Sequence, residues 1–223
     1  MIKNVIFDCG GVIVTLNRDN CLNAFSKILG FPDFGKYLSE YAQKGFFLQF
    51  ENGDLKASEF RQIVRQHSTI QELTDEEIDY AIGCFLTDVN QAKVKYLLKL
   101  KRNYDLYLLS NINPIAWKRS KKLFKESYGV RMSDVFRKRF LSYRMNMSKP
   151  GEDIFKEAIR EGGFIPEETL FIDDGEANIE TARKLGFKVL LFDVNKDIEA
   201  QVQPLLDADA IECEQRVKED LND

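Results

Sequence analysis

Short apolar runs alternate along this chain with longer stretches of helical period. Ile2 and Val5-Ile6-Phe7 make a run rich in β-branched and aromatic residues that ends at Asp8 and the glycines Gly10 and Gly11. Leu106-Tyr107-Leu108-Leu109 ends at Ser110-Asn111, Leu170-Phe171-Ile172 ends at Asp173-Asp174-Gly175, and the run from Phe187 to Phe192 ends at Asp193. Such continuous apolar runs, bounded by polar residues, predict strands covered on both faces of a parallel sheet. Helical spacing follows from Pro114 to about Glu126, from Gly151 to about Glu161, from Glu176 to about Leu185 and from Ile198 to about Leu206. Asn113 before Pro114 has the chemistry of an N-cap with proline at the first helical position, and Gly162-Gly163 and Gly186 have that of helix stops. Strands alternating with helices predict an α/β fold, a doubly wound parallel sheet that binds ligand beyond the carboxyl ends of its strands.

The stretch after the first strand differs. Leu22, Phe25, Ile28 and Leu29 recur at helical spacing, as do Phe34, Tyr37, Leu38 and Tyr41. A helix is predicted over Ala57 to His67 with Ser58 as its cap, and another over Thr74 to Phe85, where Thr74 and Glu77 match a capping box. The chain thus divides into an α/β core of residues 1–15 and 89–206, a helical insert of residues 16–88, and an acidic C-terminal tail of residues 207–223.

Composition narrows the classes. With 44% hydrophobic and 30% charged residues in 223, the chain can bury a large core, and disordered or fibrous classes are excluded. The net charge of −4 offers no global attraction to nucleic acid or anionic lipid, so nucleic acid is not an expected partner. Eleven basic residues against two acidic ones between Trp117 and Lys149 read as a solvated face rather than a nucleic-acid surface. Cys9, Cys21, Cys84 and Cys213 form no C-x-x-C pair, and His67 is the only histidine, so neither a zinc site nor a disulfide framework is expected. Without a signal-peptide pattern at the start or an apolar run of about 18 residues, the expected location is cytoplasmic, with no membrane partner.

Four strand-end or helix-start segments carry candidate chemistry. Asp8 leaves a buried strand for a loop whose glycines let backbone N–H groups approach a phosphate. Ser110 and Asn111 offer a hydroxyl and helix-start amides to an anion. Lys149, ahead of Pro150, can neutralise phosphate charge. Asp173 and Asp174 repel each other unless a cation is shared, and Mg²⁺ prefers such oxygen ligands.

The segments VIFDCGGVIV, LLSNIN, SKP and FIDDGEANIETARKLG, in this order, resemble those of the haloacid dehalogenase superfamily over essentially residues 1–195. The chain is most similar to small bacterial sugar-phosphate phosphatases of its helical-cap branch. The resemblance implies a Rossmann-like core with the insert as cap, and a phosphate monoester, most of all a sugar phosphate, as substrate. It implies Asp8 as the nucleophile forming an aspartyl-phosphate, with Ser110 and Lys149 completing the catalytic set. Ser110, Asn111 and Lys149 would bind substrate, and Asp8, the Gly10 carbonyl, Asp173 and Asp174 would hold Mg²⁺.

Two positions depart from the family pattern. Gly10 stands where a second aspartate ordinarily serves as general acid and base, a loss worth about 10² to 10⁴ in rate. Ala177 stands where an acidic residue is common, and Asn178 beside it can hydrogen-bond a ligand carboxylate in partial replacement. These departures leave a catalytically degenerate binding protein of the same fold as the chief alternative. A phosphomutase needs the proton carrier that Gly10 removes, and a 2-haloacid dehalogenase needs no Asp173-Asp174 pair. Oligomeric state and the cap residues that set specificity stay open. Cys9, beside Asp8, and Trp117 read as core residues and His67 as a helix-surface residue; Phe46 to Glu51 and Asn52-Gly53-Asp54 are positioned to place groups over the pocket, with the aromatics among them read as helix-packing residues.

Overall fold

The computed structural model describes residues 1–38 and 43–220. Five parallel strands, β1 (Asn4–Phe7), β2 (Asp105–Ser110), β3 (Lys138–Leu141), β4 (Thr169–Asp173) and β5 (Lys188–Leu191), form one sheet in the order β3-β2-β1-β4-β5. Between β1 and β2 lie α1 (Arg18–Lys27), α2 (Gly45–Asn52), α3 (Ala57–His67), α4 (Asp75–Gly83) and α5 (Gln91–Leu100). The remaining helices are α6 (Pro114–Tyr128), the single turns α7 (Met132–Val135) and α8 (Ser142–Met145), α9 (Glu152–Gly162), α10 (Glu176–Lys184) and α11 (Ile198–Asp220). Among the described residues no helix is long and apolar enough to cross a membrane.

The period-2 alternation of the strands divides the core in two. Val5, Phe7, Leu106, Leu108, Leu170 and Ile172 face one side, sharing a cluster with Val94 of α5, Phe124 of α6 and Val202 of α11. Ile6, Tyr107, Leu109 and Phe171 face the other, against Ile154 and Phe155 of α9 and Ile179 of α10. Both faces of β1, β2 and β4 are covered, as their continuous apolar runs require, whereas the edge strand β5 is only half-buried and its Leu191 is exposed. In the centre, Phe7 pairs with Leu108 on one side and Ile172 on the other. The chain crosses to β2 and β3 on one side of β1 and to β4 and β5 on the other, which opens the ligand-binding crevice at the end of β1.

The structure extends the sequence reading in several places. Strand β3 was not expected, because Lys138 and Arg139 open an edge strand that is only half-buried at its start. Such charges suit an edge by discouraging pairing with another chain. Helix α5 was not expected either; Asn90 caps it by accepting from the Ala92 N–H at 2.8 Å. Helix α3 begins at Ala57, and Ser58 is not its cap: the Lys56 N–H donates to Glu59 at 2.7 Å instead. Thr74 and Glu77 do form the expected capping box on α4. The helical spacing through Phe34 resolves into a 3₁₀ turn, Pro32–Lys36, opened by its proline, and Tyr41 lies outside the described residues.

Residues Phe46 to Glu51 form most of α2, which ends on Gly53 in the left-handed region. Phe50 stacks on Phe60 of α3 at 4.2 Å between ring centres, and Phe25 stacks on Phe34 at 3.5 Å. The helices between β1 and α5 therefore share an aromatic interior. Helix α11 runs past residue 207 without a break. Its Asp209 is buried, accepts from the Ile2 N–H and pairs with Lys188, so this helix latches the start of the chain to β5. Residues 221–223 of the acidic tail lie outside the described residues.

Candidate active site

The register of β1 and β4 brings the ends of two strands together. Asp8 follows Phe7 directly and its N–H donates to the Ile172 carbonyl at 2.8 Å, which sets it beside Asp173. A tight turn then closes over it, with Val14 N–H donating to Cys9 O at 2.8 Å and Gly11 N–H to Val14 O at 2.9 Å. Gly11 has φ +76°, and a Cβ there would lie 2.1 Å from an Asp174 carboxylate oxygen. Only glycine lets the turn approach Asp174 this closely. From α5, Lys93 secures the same turn by donating to the Val12 carbonyl at 2.6 Å.

Lys149 links the two acidic strand ends. Its ammonium lies 2.6 Å from Asp173 and 3.0 Å from Asp8, and its side chain and that of Asp173 are 1% exposed. Burial opposes the lysine charge, but the Asp173 and Asp8 carboxylates outweigh it and hold Lys149 above its ordinary range. The other oxygen of Asp173 accepts from the Gly175 N–H at 2.8 Å and from Asn178 at 2.9 Å. Asn178, which the sequence offers as a hydrogen-bond donor to a carboxylate of this pair, thus engages Asp173. Burial, with the charges of Asp173 and Asp174 added, pushes Asp8 up to about 7 despite Lys149. Burial and Asp173 push Asp174 up as well.

These side chains fit a hard divalent cation. Asp8, Asp173 and Asp174 each offer a carboxylate oxygen, all within 4.8 Å of one another. Three carboxylates against one lysine leave an excess of negative charge, and oxygen donors of this kind suit Mg²⁺.

Ser110 and Asn111 reach the crevice from β2, but they do different things. Ser110, 1% exposed, lines a cavity together with Gly10, Asn111 and Ile112. Asn111 turns its amide onto the backbone of Lys149, donating to the carbonyl at 2.8 Å and accepting from the N–H at 2.9 Å. It thereby fixes the lysine loop, with both ends of its amide engaged. Cys9 is fully buried and burial pushes its thiol up to about 12, so it is a core residue. Trp117 is buried, and His67 stacks on Phe31 at 4.9 Å, outside this cavity. One acidic residue in the cavity wall, Glu51 of α2, was not singled out in the sequence. Its signal there was faint: one carboxylate beside four apolar residues in a packing helix.

A strand-end aspartate, a buried lysine and a carboxylate pair around the switch point of a doubly wound sheet define a class of hydrolase. The family model of haloacid dehalogenase-like hydrolases matches residues 2–186, and the chain belongs to that family. It is 42% identical over 190 residues to the D-ribitol-5-phosphate phosphatase of Bacteroides thetaiotaomicron, covering 84% of this chain and 90% of that protein. A HAD family enzyme of the same organism, solved with magnesium and inorganic phosphate, is 37% identical with a TM-score of 0.84, over 91% of this chain and 100% of that one. A HAD-like hydrolase of Porphyromonas gingivalis is 38% identical with a TM-score of 0.85, over 92% of this chain and 98% of that one.

Proposed function

We propose that this chain is a Mg²⁺-dependent phosphatase that hydrolyses a small sugar or polyol phosphate through an aspartyl-phosphate. The observation that carries it is the convergence of Asp8, Lys149, Asp173 and Asp174 at the ends of β1 and β4. The named activity of the Bacteroides relative and the magnesium and phosphate in the related structure support the reading. In it, Asp8 attacks phosphorus and water then cleaves the acyl phosphate. Ser110 donates to a phosphoryl oxygen, and Lys149 neutralises charge on the phosphoryl group while holding Asp8 in place. Asp8, Asp173, Asp174 and the Gly10 carbonyl would hold the cation. When bound, Mg²⁺ supplies charge neutralisation on the transferring group. Asn111 is a positioning residue, acting through Lys149.

The helices of residues 16–88 serve as a cap over this crevice that excludes bulk water during turnover. Phosphate release from p-nitrophenyl phosphate and a panel of sugar and polyol phosphates tests the reading, with Mg²⁺ and with chelator, for the natural chain and for Asp8→Asn. Turnover that needs both Mg²⁺ and Asp8 is expected. Binding of phosphate without turnover would favour the second reading, a degenerate binding protein, for which Gly10 is the specific observation.

A further inference from the structure

The phosphatase reading leaves one chemical role unfilled, because Gly10 has no side chain to move a proton at the leaving oxygen. Glu51 is the acid that faces this gap. It sits at the end of α2 in the wall of the cavity that Gly10, Ser110 and Asn111 line from the core side, among the apolar side chains of Phe47, Phe85 and Leu86. The residue is only 9% exposed. Among the described residues, no hydrogen bond or ion pair engages its carboxyl.

The core holds this helix end in place. Ser142, fully buried at the end of β3, donates to the Glu51 carbonyl at 2.6 Å and accepts from the Ile112 N–H at 2.9 Å. One hydroxyl thus ties Glu51 to the loop that begins with Ser110. Asn146 donates to the Asn52 carbonyl at 3.3 Å. Gly53, at φ +82°, packs so tightly on Tyr143 that a Cβ would lie 2.2 Å from its carbonyl oxygen. The cavity position of Glu51 is therefore set by the same body that carries Ser110.

Resting on the phosphatase reading, we infer that Glu51 is the general acid and base of this site, replacing the side chain that Gly10 lacks. As Asp8 bonds to phosphorus and the bond to the leaving oxygen breaks, that oxygen keeps the electron pair and takes the proton of Glu51. The product alcohol departs and Glu51 is left as carboxylate. It then takes a proton from the water that attacks the acyl phosphate, releasing phosphate and restoring both Asp8 and the acid. Burial, with the Asp8 charge added, pushes the Glu51 carboxyl up to about 8, which keeps it protonated at neutral pH.

The test is leaving-group dependence. A polyol phosphate needs a proton on its leaving oxygen, whereas p-nitrophenolate leaves without one. Glu51→Gln, isosteric with the protonated acid, is expected to lose about 10² to 10⁴-fold in kcat/KM on the best sugar or polyol phosphate, a parameter that reports the leaving-group step and not the later hydrolysis shared by all esters. On p-nitrophenyl phosphate kcat/KM should fall far less, so that the ratio of the two kcat/KM values shifts by about 100-fold or more. Gly10→Asp in the Glu51→Gln chain is expected to restore part of the polyol-phosphate rate. A Cβ at Gly10 would meet only the end of the Leu16 side chain, at 3.1 Å. Equal losses in kcat/KM on both esters, or no loss on either, would overturn the assignment. A natural chain inert towards every ester with Mg²⁺ would instead sink the phosphatase reading and this assignment with it.

Discussion

Lys149 stands 2.6 Å from Asp173, both side chains shut away from water, and so joins the loop before α9 to the end of β4. A buried pair of this kind is costly to break from one side. Lys149→Ala leaves Asp8 and Asp173 as uncompensated neighbours. It is expected to abolish turnover and, in chelator, to lower the unfolding free energy by about 3–5 kcal/mol. Urea denaturation followed by circular dichroism measures this, and unchanged stability would contradict the role of the pair.

The two-point grip of Asn111 on the Lys149 backbone makes a different prediction. Asn111→Asp keeps the acceptor but loses the donor, and sets a carboxylate oxygen against the Lys149 carbonyl. A displaced lysine should lower kcat by about 10²-fold while changing KM little, since misplacement of a catalytic group acts on the transition state. Steady-state kinetics with saturating Mg²⁺ would show it; a rise in KM alone would mean that Asn111 contacts substrate.

Gly11→Ala puts a methyl group where an Asp174 oxygen now sits, in a backbone conformation that also disfavours alanine. Displacing Asp174 should raise the Mg²⁺ concentration for half-maximal activity by about 10-fold or more. Activity titrated with Mg²⁺ checks this, and an unaltered requirement would remove Asp174 from the metal set.

Glu51 gives stability a pH signature. Its folded-state value of about 8 lies above its ordinary 4.5. The folded chain therefore retains a proton that the unfolded chain has lost. The associated stability is present in full below about pH 4.5, falls as pH rises towards about 8, and is flat above that. Across that window the natural chain should lose on the order of 5 kcal/mol relative to Glu51→Gln. Parallel urea titrations of the two proteins give the difference directly, and parallel curves would refute it.

Asp209 is buried where the Ile2 N–H and Lys188 converge on it. Burial works against its charge, but the Lys188 and Ile2 hydrogen bonds hold it below the usual carboxylate range. Asp209→Ala strands the Ile2 N–H and is expected to cost about 1–3 kcal/mol in a urea titration, with turnover unaffected. A loss within error would show that α11 is not a latch.

Much of this architecture is written locally. β1, β2 and β4 are legible because each is apolar on both faces and stops at a polar residue. The same stops supply Asp8, Ser110, Asp173 and Asp174. The edge strand β3 is not legible, since Lys138 and Arg139 spoil its apolar run and only pairing with β2 reveals it. Asn111 reads as a polar strand end, but its role depends on the backbone of Lys149, which reaches it only in the folded chain. Glu51 is the least legible of all. Its neighbours Phe46, Phe47 and Phe50 announce packing, and the Ser142 hydroxyl that sets its place lies 91 residues further on.

The central position of β1 also dictates when the molecule can be finished. This strand is made before both of its neighbours: β2 follows only after all of α1 to α5, and β4 only after α9. Until then its apolar residues have no sheet to enter, and closing such distant pairings is slow. The nascent chain must therefore shelter Val5, Ile6 and Phe7 until β2 and β4 have been made, and Asp8 meets Asp173 only once β4 is in place. The clasp of α11 on Ile2 forms later still, when a helix made after β5 emerges to fasten β1.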